Sequence, residues 1–161
     1  MSYTVFLGLG GNHDNSKELC EMALRKIARI AKKIVKTSSL YRTPPWGFEA
    51  DNDFINLVVR IEYNGNPIQL LDEINSIEHE LGRVRIGGGY SSRPIDIDIL
   101  YFGNQHVNTG RLQIPHPRMY DRKFVMFPLN EIAPFWVDPI KKINVYHLVN
   151  RCTDESNIDI Y

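Results

Sequence analysis

Asp96 and Asp98, in the stretch RPIDIDILYF (93–102), have the type and spacing that most directly suggest chemistry. Ile95, Ile97 and Ile99 alternate with Asp96, Asp98 and Leu100, the period of a β-strand. Both carboxylates therefore stand on one face, roughly 6–7 Å apart at Cα. Asp is a poor strand former, and adjacent like charges repel. One reading is a Mg2+ platform, because that ion takes one or two carboxylates and completes its shell with phosphate and water oxygens. The other is two solvated aspartates on an exposed strand face. The D-x-D pattern alone does not choose between them.

Arginines surround the pair. Arg83, Arg85 and Arg93 precede it, and Arg111, Arg118 and Arg122 follow it. The planar guanidinium fork suits phosphate oxygens, and metals and arginines would share a triphosphate's charge. Any one of these arginines reads as a surface charge; their clustering argues for phosphate. The run IGGGY (86–90) lacks the G-K-[ST] of a Walker A loop. It reads either as a mobile lid carrying Arg83 and Arg85 inward or as a plain helix-to-strand connection. Thr43, the neighbouring backbone of RTPPWGF and Asn56 could hydrogen bond along the edge of a flat heterocycle. Phe54 and Phe124 could stack on its faces, although such aromatics also serve as core. His116 sits between two prolines beside Arg118, whereas His13, His79, His106 and His147 show no ligand spacing, which argues against a zinc site.

These residues need a scaffold. Tyr3–Leu9 reads as a strand running into Gly8, Gly10 and Gly11. A helix capped by Asn15 or Ser16 follows, with Leu19, Met22, Ala23, Ile27 and Ile30 inward. A strand from about Ile34 to Tyr41 ends at two prolines. Phe54–Tyr63 is the next strand, and NGNP is a turn. Pro67 starts a helix to about Leu81, with Ile68, Leu71, Ile74 and Ile77 inward and Gly82 as its stop. The Asp-bearing strand comes after the 83–93 loop. A turn with a short edge strand, a helix near Phe124–Ile132, a last short helix at Val145–Arg151 and a loose polar tail at about 152–161 complete the chain. The order β-α-β-β-α-β predicts an α+β, ferredoxin-like fold in a single domain of residues 1–161, an arrangement that says nothing by itself of function.

Bulk properties narrow the field. The 161 residues are 43% hydrophobic and 24% charged, with 19 basic against 19 acidic side chains and a formal net charge of zero. Neutrality argues against a protein held to nucleic acid or membrane by bulk charge. No apolar run approaches the roughly 18–20 residues of a membrane span, and the N-terminus lacks a basic leader. Two distant cysteines, Cys20 and Cys152, read as free thiols in a reducing, cytoplasmic setting.

Five segments together resemble the 6-hydroxymethyl-7,8-dihydropterin pyrophosphokinases of folate biosynthesis: SSLYRTPPWG, DFINLVV, IEHELGRVR, SRPIDIDILYFGN and LQIPHPRMYDRKFVMFPLNEIAP. They follow the family's order and spacing over residues 3 to about 140. The resemblance implies transfer of the terminal diphosphate of ATP to the pterin hydroxymethyl group, leaving AMP. It implies that Asp96 and Asp98 hold two Mg2+ ions and that Arg83 and Arg93 steady the transferring group. It places Glu78, Arg85, Ile99 (through its backbone), Arg111, His116 and Arg122 toward ATP. It places Thr43, Pro45, Trp46, Phe54, Asn56 and Phe124 toward the pterin, the two phenylalanines sandwiching the ring. Gly11, Phe54, Ile86, Tyr90 and Pro117 depart from the bacterial pattern, and Gly11 in place of Ser suggests a looser first loop. The residues alone leave two alternatives, an ATP-dependent kinase of another small alcohol and a ferredoxin-like RNA-binding module. A small enclosed site needs no subunit interface, so a monomer is expected.

Overall fold

A computed structural model describes residues 1–44, 52–82, 85–86, 90–91 and 94–161, the two short pairs as backbone alone. In chain order the elements are β1 (Tyr3–Gly11), α1 (Ser16–Ile30), β2 (Lys33–Thr37), β3 (Tyr41–Thr43), β4 (Phe54–Tyr63), α2 (Pro67–Glu80), β5 (Arg85–Ile86), β6 (Tyr90–Ser91) and β7 (Asp96–Phe102). There follow β8 (Val107–Asn108), β9 (Gln113–Ile114), a 3-10 turn at Met119–Asp121, α3 (Lys123–Ile132), α4 (Val145–Asn150) and β10 (Asp159–Ile160).

The main sheet runs β10-β3-β4-β1-β7, with β2 also pairing with β4, and every ladder in it is antiparallel. This is the ferredoxin-like order, an α+β fold. The strand expected at 34–41 is split into β2 and β3, which succeed one another along the same edge of β4. Ser38 makes the break: its amide donates to the Val58 carbonyl at 2.9 Å, and its Oγ, in place of a backbone carbonyl, accepts from the Val58 amide at 2.9 Å.

One face of the sheet is fully apolar. Leu7 and Leu9 of β1, Leu57 and Val59 of β4, and Ile97 and Ile99 of β7 pack against Leu19, Ala23 and Ile27 of α1 and Leu70, Ile74 and Ile77 of α2. The helix phases differ slightly from expectation. Cys20 faces inward while Met22 is exposed, and Leu70 takes the inward place expected of Ile68. Asn66 starts α2 with a reciprocal capping box: Gln69 N donates to its Oδ1, and its own amide donates to Gln69 Oε1, both at 2.9 Å, with Pro67 at the first helical position. Gly82 leaves the helix at φ +107°, a conformation that favours glycine.

The opposite face is covered only in part. Phe6, Val58, Leu100 and Tyr101 pack against α3 and α4 through Met126, Leu129 and Val145. Leu100 and Tyr101 share this face because β7 carries one extra residue: Phe6 pairs with Tyr101 and Leu7 with Ile99, leaving Leu100 as a bulge. The tail, expected to be loose, is tied down. β10 adds to the edge of β3, and the Tyr161 amide donates to the Leu40 carbonyl at 2.8 Å. The unpaired edge of β3 supplies the partner that the tail's polar composition does not advertise.

Candidate functional site

The site lies on the uncovered half of that second face. Beyond Phe6 the residues of β1 that point to this side are Gly8 and Gly10, so the middle strand is bare. Ladder registry sets two rows across it: Tyr41, Asn56, Gly10 and Asp96 in one, and Val58, Gly8 and Asp98 in the next. Asn56 and Asp96 thus flank a glycine floor two strand spacings wide, about 10 Å. The bareness is required as well as permissive. A Cβ on Gly10 would sit 1.8 Å from Asn56 Oδ1, and one on Gly11 would meet the Pro94 carbonyl oxygen at 2.3 Å. Gly11, expected to loosen the first loop, instead allows a close backbone approach.

Over this floor is a cavity of about 900 Å3. Phe54 and Asn56 line one side, Asp96 and Asp98 the other, and Arg122 and Phe124 come from the start of α3. The Arg122 guanidinium carbon lies 5.6 Å from the centre of the Phe124 ring, and this arginine makes no ion pair among the described residues. A second cavity, of about 510 Å3, opens on the other side of the Asp pair. Ile99, Arg111, Leu112, His116 and Arg118 line it, while Asp96, Asp98 and Arg122 border both. The two carboxylates therefore stand where the cavities meet.

His116 is held along the outer edge of β7, its amide donating to the Leu100 carbonyl at 3.1 Å. Its Nδ1 accepts from the Arg118 amide at 3.2 Å, which leaves the ring proton on Nε2. Burial, with the nearby positive charges of Arg122 and Arg118, pushes its pKa below the ordinary 6.5 and outweighs the opposite pull of Asp98. The imidazole is thus neutral at pH 7, a hydrogen-bond donor rather than a cation. Arg111 donates to Asp72 Oδ1 at 2.7 Å, with both side chains more than half exposed. Such a pair is worth about 0–1 kcal/mol, so a phosphate can compete for the guanidinium.

Glu78 differs from its expected place on the nucleotide side. It is buried on the helix face of the sheet, lines neither cavity, and its Oε2 accepts from the Ile97 amide at 2.9 Å. It fixes the segment of β7 between the two aspartates. Thr43 is buried opposite Phe54 in the β3–β4 ladder and does not line the cavity, whereas the following Pro44 does. Arg83, Arg93, Pro45 and Trp46 lie outside the described residues, as do the side chains of Arg85, Ile86 and Tyr90; β5 and β6 pair as a short antiparallel ladder.

Three features were not anticipated. The glycine floor had a readable signal, since Gly8 and Gly10 alternate within a strand and strip one face of it. The tail residues Thr153–Ser156 also line the larger cavity and gave no signal. Asp138 is fully buried and accepts four hydrogen bonds, from the Tyr101 and Tyr120 hydroxyls at 2.7 and 2.6 Å and from the Ile140 and Lys141 amides at 2.8 Å each. Burial works against its charge, but these donors hold its carboxyl below the ordinary range. It ties β7 to the 3-10 turn that delivers Arg122. Among the described residues no group of three or more His, Cys, Asp or Glu side chains gathers to hold a metal ion.

A family model described as 7,8-dihydro-6-hydroxymethylpterin-pyrophosphokinase (HPPK) matches residues 6–134. A Haemophilus influenzae protein named 2-amino-4-hydroxy-6-hydroxymethyldihydropteridine pyrophosphokinase is 38% identical over 158 residues, covering 98% of each chain. A Bacillus subtilis protein of the same name is 38% identical over 134 residues, 83% of this chain and 80% of the relative. Among solved structures, Plasmodium falciparum HPPK-DHPS with pterin and p-hydroxybenzoate superimposes on 94% of this chain with a TM-score of 0.75 at 17% identity. That likeness speaks to the fold, and this chain spans 43% of the longer one.

Proposed function

This chain belongs to the 7,8-dihydro-6-hydroxymethylpterin pyrophosphokinase family, and we propose that its two cavities divide the family's reaction between a pterin side and an ATP side. The enzyme is a pyrophosphokinase of folate biosynthesis. One observation carries the residue-level reading: the glycine-floored face sets Asn56 about 10 Å from Asp96, two strand spacings away, with Phe54 and Phe124 lining the same cavity. A flat bicyclic ring lying on Gly8 and Gly10 between the phenylalanines would carry its hydroxymethyl arm toward Asp96 and Asp98. Asn56 would read the ring's amide edge, while Pro45 and Trp46 supply backbone contacts.

ATP belongs in the smaller cavity. There the neutral His116, Arg111 and Arg122 face it, with the backbone at Ile99, and the Arg85 side chain would join them. The pterin oxygen attacks the β-phosphorus in line. One O–P bond forms, the bond from that phosphorus to the oxygen bridging to the α-phosphorus breaks, and AMP departs. Positioning and charge neutralisation do most of the work in such transfers. Arg122, bordering both cavities, neutralises the group as it moves, together with Arg83 and Arg93, and Asp98 accepts the hydroxyl proton. The donor set suits Mg2+, since Asp96 and Asp98 offer hard carboxylate oxygens and phosphate and water oxygens can complete the shell. Two ions held by Asp96 and Asp98 would supply further charge neutralisation and a lowered pKa for the attacking hydroxyl. Both cavities are built from one chain, which favours a monomer. Neutral charge and two free cysteines favour a cytoplasmic enzyme without a nucleic-acid partner.

The test is one incubation with ATP, Mg2+ and 6-hydroxymethyl-7,8-dihydropterin, read by mass spectrometry. AMP with a diphosphorylated pterin is expected. ADP would point instead to γ-phosphoryl transfer by a kinase, and absence of turnover would overturn the reading.

A further inference from the structure

The residues that line the larger cavity fall into two groups. Gly8 to Val125 lie within the span matched by the family model, while Thr153, Asp154, Glu155 and Ser156 lie beyond it. This second group is an anchored segment. Upstream, the Asp154 carboxylate accepts from the Lys123 amide at 3.0 Å through Oδ2 and from the Ser156 amide at 2.8 Å through Oδ1, and the Ser156 hydroxyl also donates to it. Lys123 Nζ answers by donating to the Ser156 carbonyl at 2.8 Å. Downstream, β10 pairs with β3, and the Tyr161 ring lies beneath Lys17 and Arg42, 5.6 and 5.9 Å from its centre.

The place of the upstream anchor matters. Arg122 is the N-cap residue of α3, and its own side chain makes no capping hydrogen bond. Asp154 therefore does from a distance what an N-cap side chain does locally, taking up an otherwise orphaned amide in the first turn. That turn carries Phe124, and the residue before it is Arg122, the two groups that α3 brings to the cavity.

We propose that the C-terminal segment 153–156 is a working wall of the acceptor cavity and that Asp154 is a positioning residue, holding the first turn of α3 so that Phe124 faces Phe54 across the ring site. This rests on the pterin assignment made above. Asp154 acts through Lys123 and never touches the reacting atoms. Its loss should therefore weaken ring binding more than nucleotide binding, because Phe124 lines the larger cavity alone, whereas Arg122 is one of several groups on the nucleotide cavity, which Asp154 does not line.

The measurement uses the full-length protein with Mg2+ and a nonhydrolysable ATP analogue. Titration of 6-hydroxymethyl-7,8-dihydropterin onto that complex gives one Kd, and titration of the analogue onto the free protein gives another. Asp154→Ala should raise the pterin Kd about tenfold, the scale of a lost helix cap, and change the analogue Kd less than about twofold. Asp154→Asn, which keeps one acceptor oxygen, should recover most of the loss. Should Asp154→Ala prove too unstable, Lys123→Met removes the Nζ bond to Ser156 along with the ammonium's attraction to Asp154 and its place over the Phe127 ring, keeps the Lys123 amide on Asp154, and should raise the pterin Kd about threefold. An Asp154→Ala pterin Kd within twofold of the parent overturns the inference, as does an equal weakening of both ligands. A parent protein that binds no pterin overturns the substrate assignment itself.

Discussion

The two faces of the central sheet are made from the same three strands and do opposite work. On the helix face, β1, β4 and β7 present Leu7, Leu9, Val59, Ile97 and Ile99, and α1 and α2 bury them. On the other face the same strands present Gly8, Gly10, Asn56, Asp96 and Asp98, and among the described residues the only helix to reach this half is α3, at its start. Strand alternation makes this possible: one side chain in two can be committed to stability and the next to chemistry without either compromising the other. The like-charged Asp pair is tolerable because the residues between and beside it, Ile95, Ile97 and Ile99, are buried in the core on the helix face.

The largest effect should come from Asp98→Ala, which removes a carboxylate at the junction of the cavities. Turnover to AMP should fall at least about a thousandfold, roughly 4 kcal/mol of barrier, while the thermal midpoint stays near that of the parent. On the helix face the outcome should invert. Ile27→Ala opens a cavity beneath α1 and should cost about 2–5 kcal/mol in urea unfolding, with kcat per folded molecule little changed. Comparable losses of activity in both variants would mean that the faces are not separate.

Gly10→Ala sharpens the contrast from within the site. Its methyl group would fall on Asn56 Oδ1, so Asn56 must move. Pterin affinity should drop about tenfold or more, as for a site whose buried polar group loses its partner. Gly8→Ala, whose Cβ would meet Leu100 at an ordinary 3.5 Å, should be milder. The smallest effect concerns acid. The Asp138 carboxyl has a folded pKa below its ordinary 3.8, so its stabilisation is complete above that pH. It is lost as pH falls through the lower folded value. Unfolding curves of Asp138→Asn should therefore be flatter over this acid window than those of the parent.

How far the sequence reaches follows the same division. Alternation in RPIDIDILYF and the apolar periods of α1 and α2 place the strands and helices, because burial imposes those periods directly. β4 and α2 appear at the expected positions. What the sequence hides is whatever depends on partners far along the chain. The break at Ser38 needs Val58, the cap on Lys123 needs Asp154, and the four donors on Asp138 come from three separate segments. The helix phases miss at Met22 and Ile68 because apolar residues also occur on the exposed flanks of amphipathic helices. Asp96 and Asp98 are legible as a pair, but their setting between two cavities is a property of the sheet.

The central claim is that the bare glycine floor lays a flat ring between Phe54 and Phe124 with its reactive arm at the Asp pair. A crystal structure with Mg2+, a nonhydrolysable ATP analogue and 6-hydroxymethyl-7,8-dihydropterin tests it most directly. The account predicts the ring over Gly8 and Gly10, the polyphosphate beside His116 and Arg122, and divalent ions on Asp96 and Asp98. Ions bound away from both carboxylates, or a ring seated off the glycine floor, would contradict it.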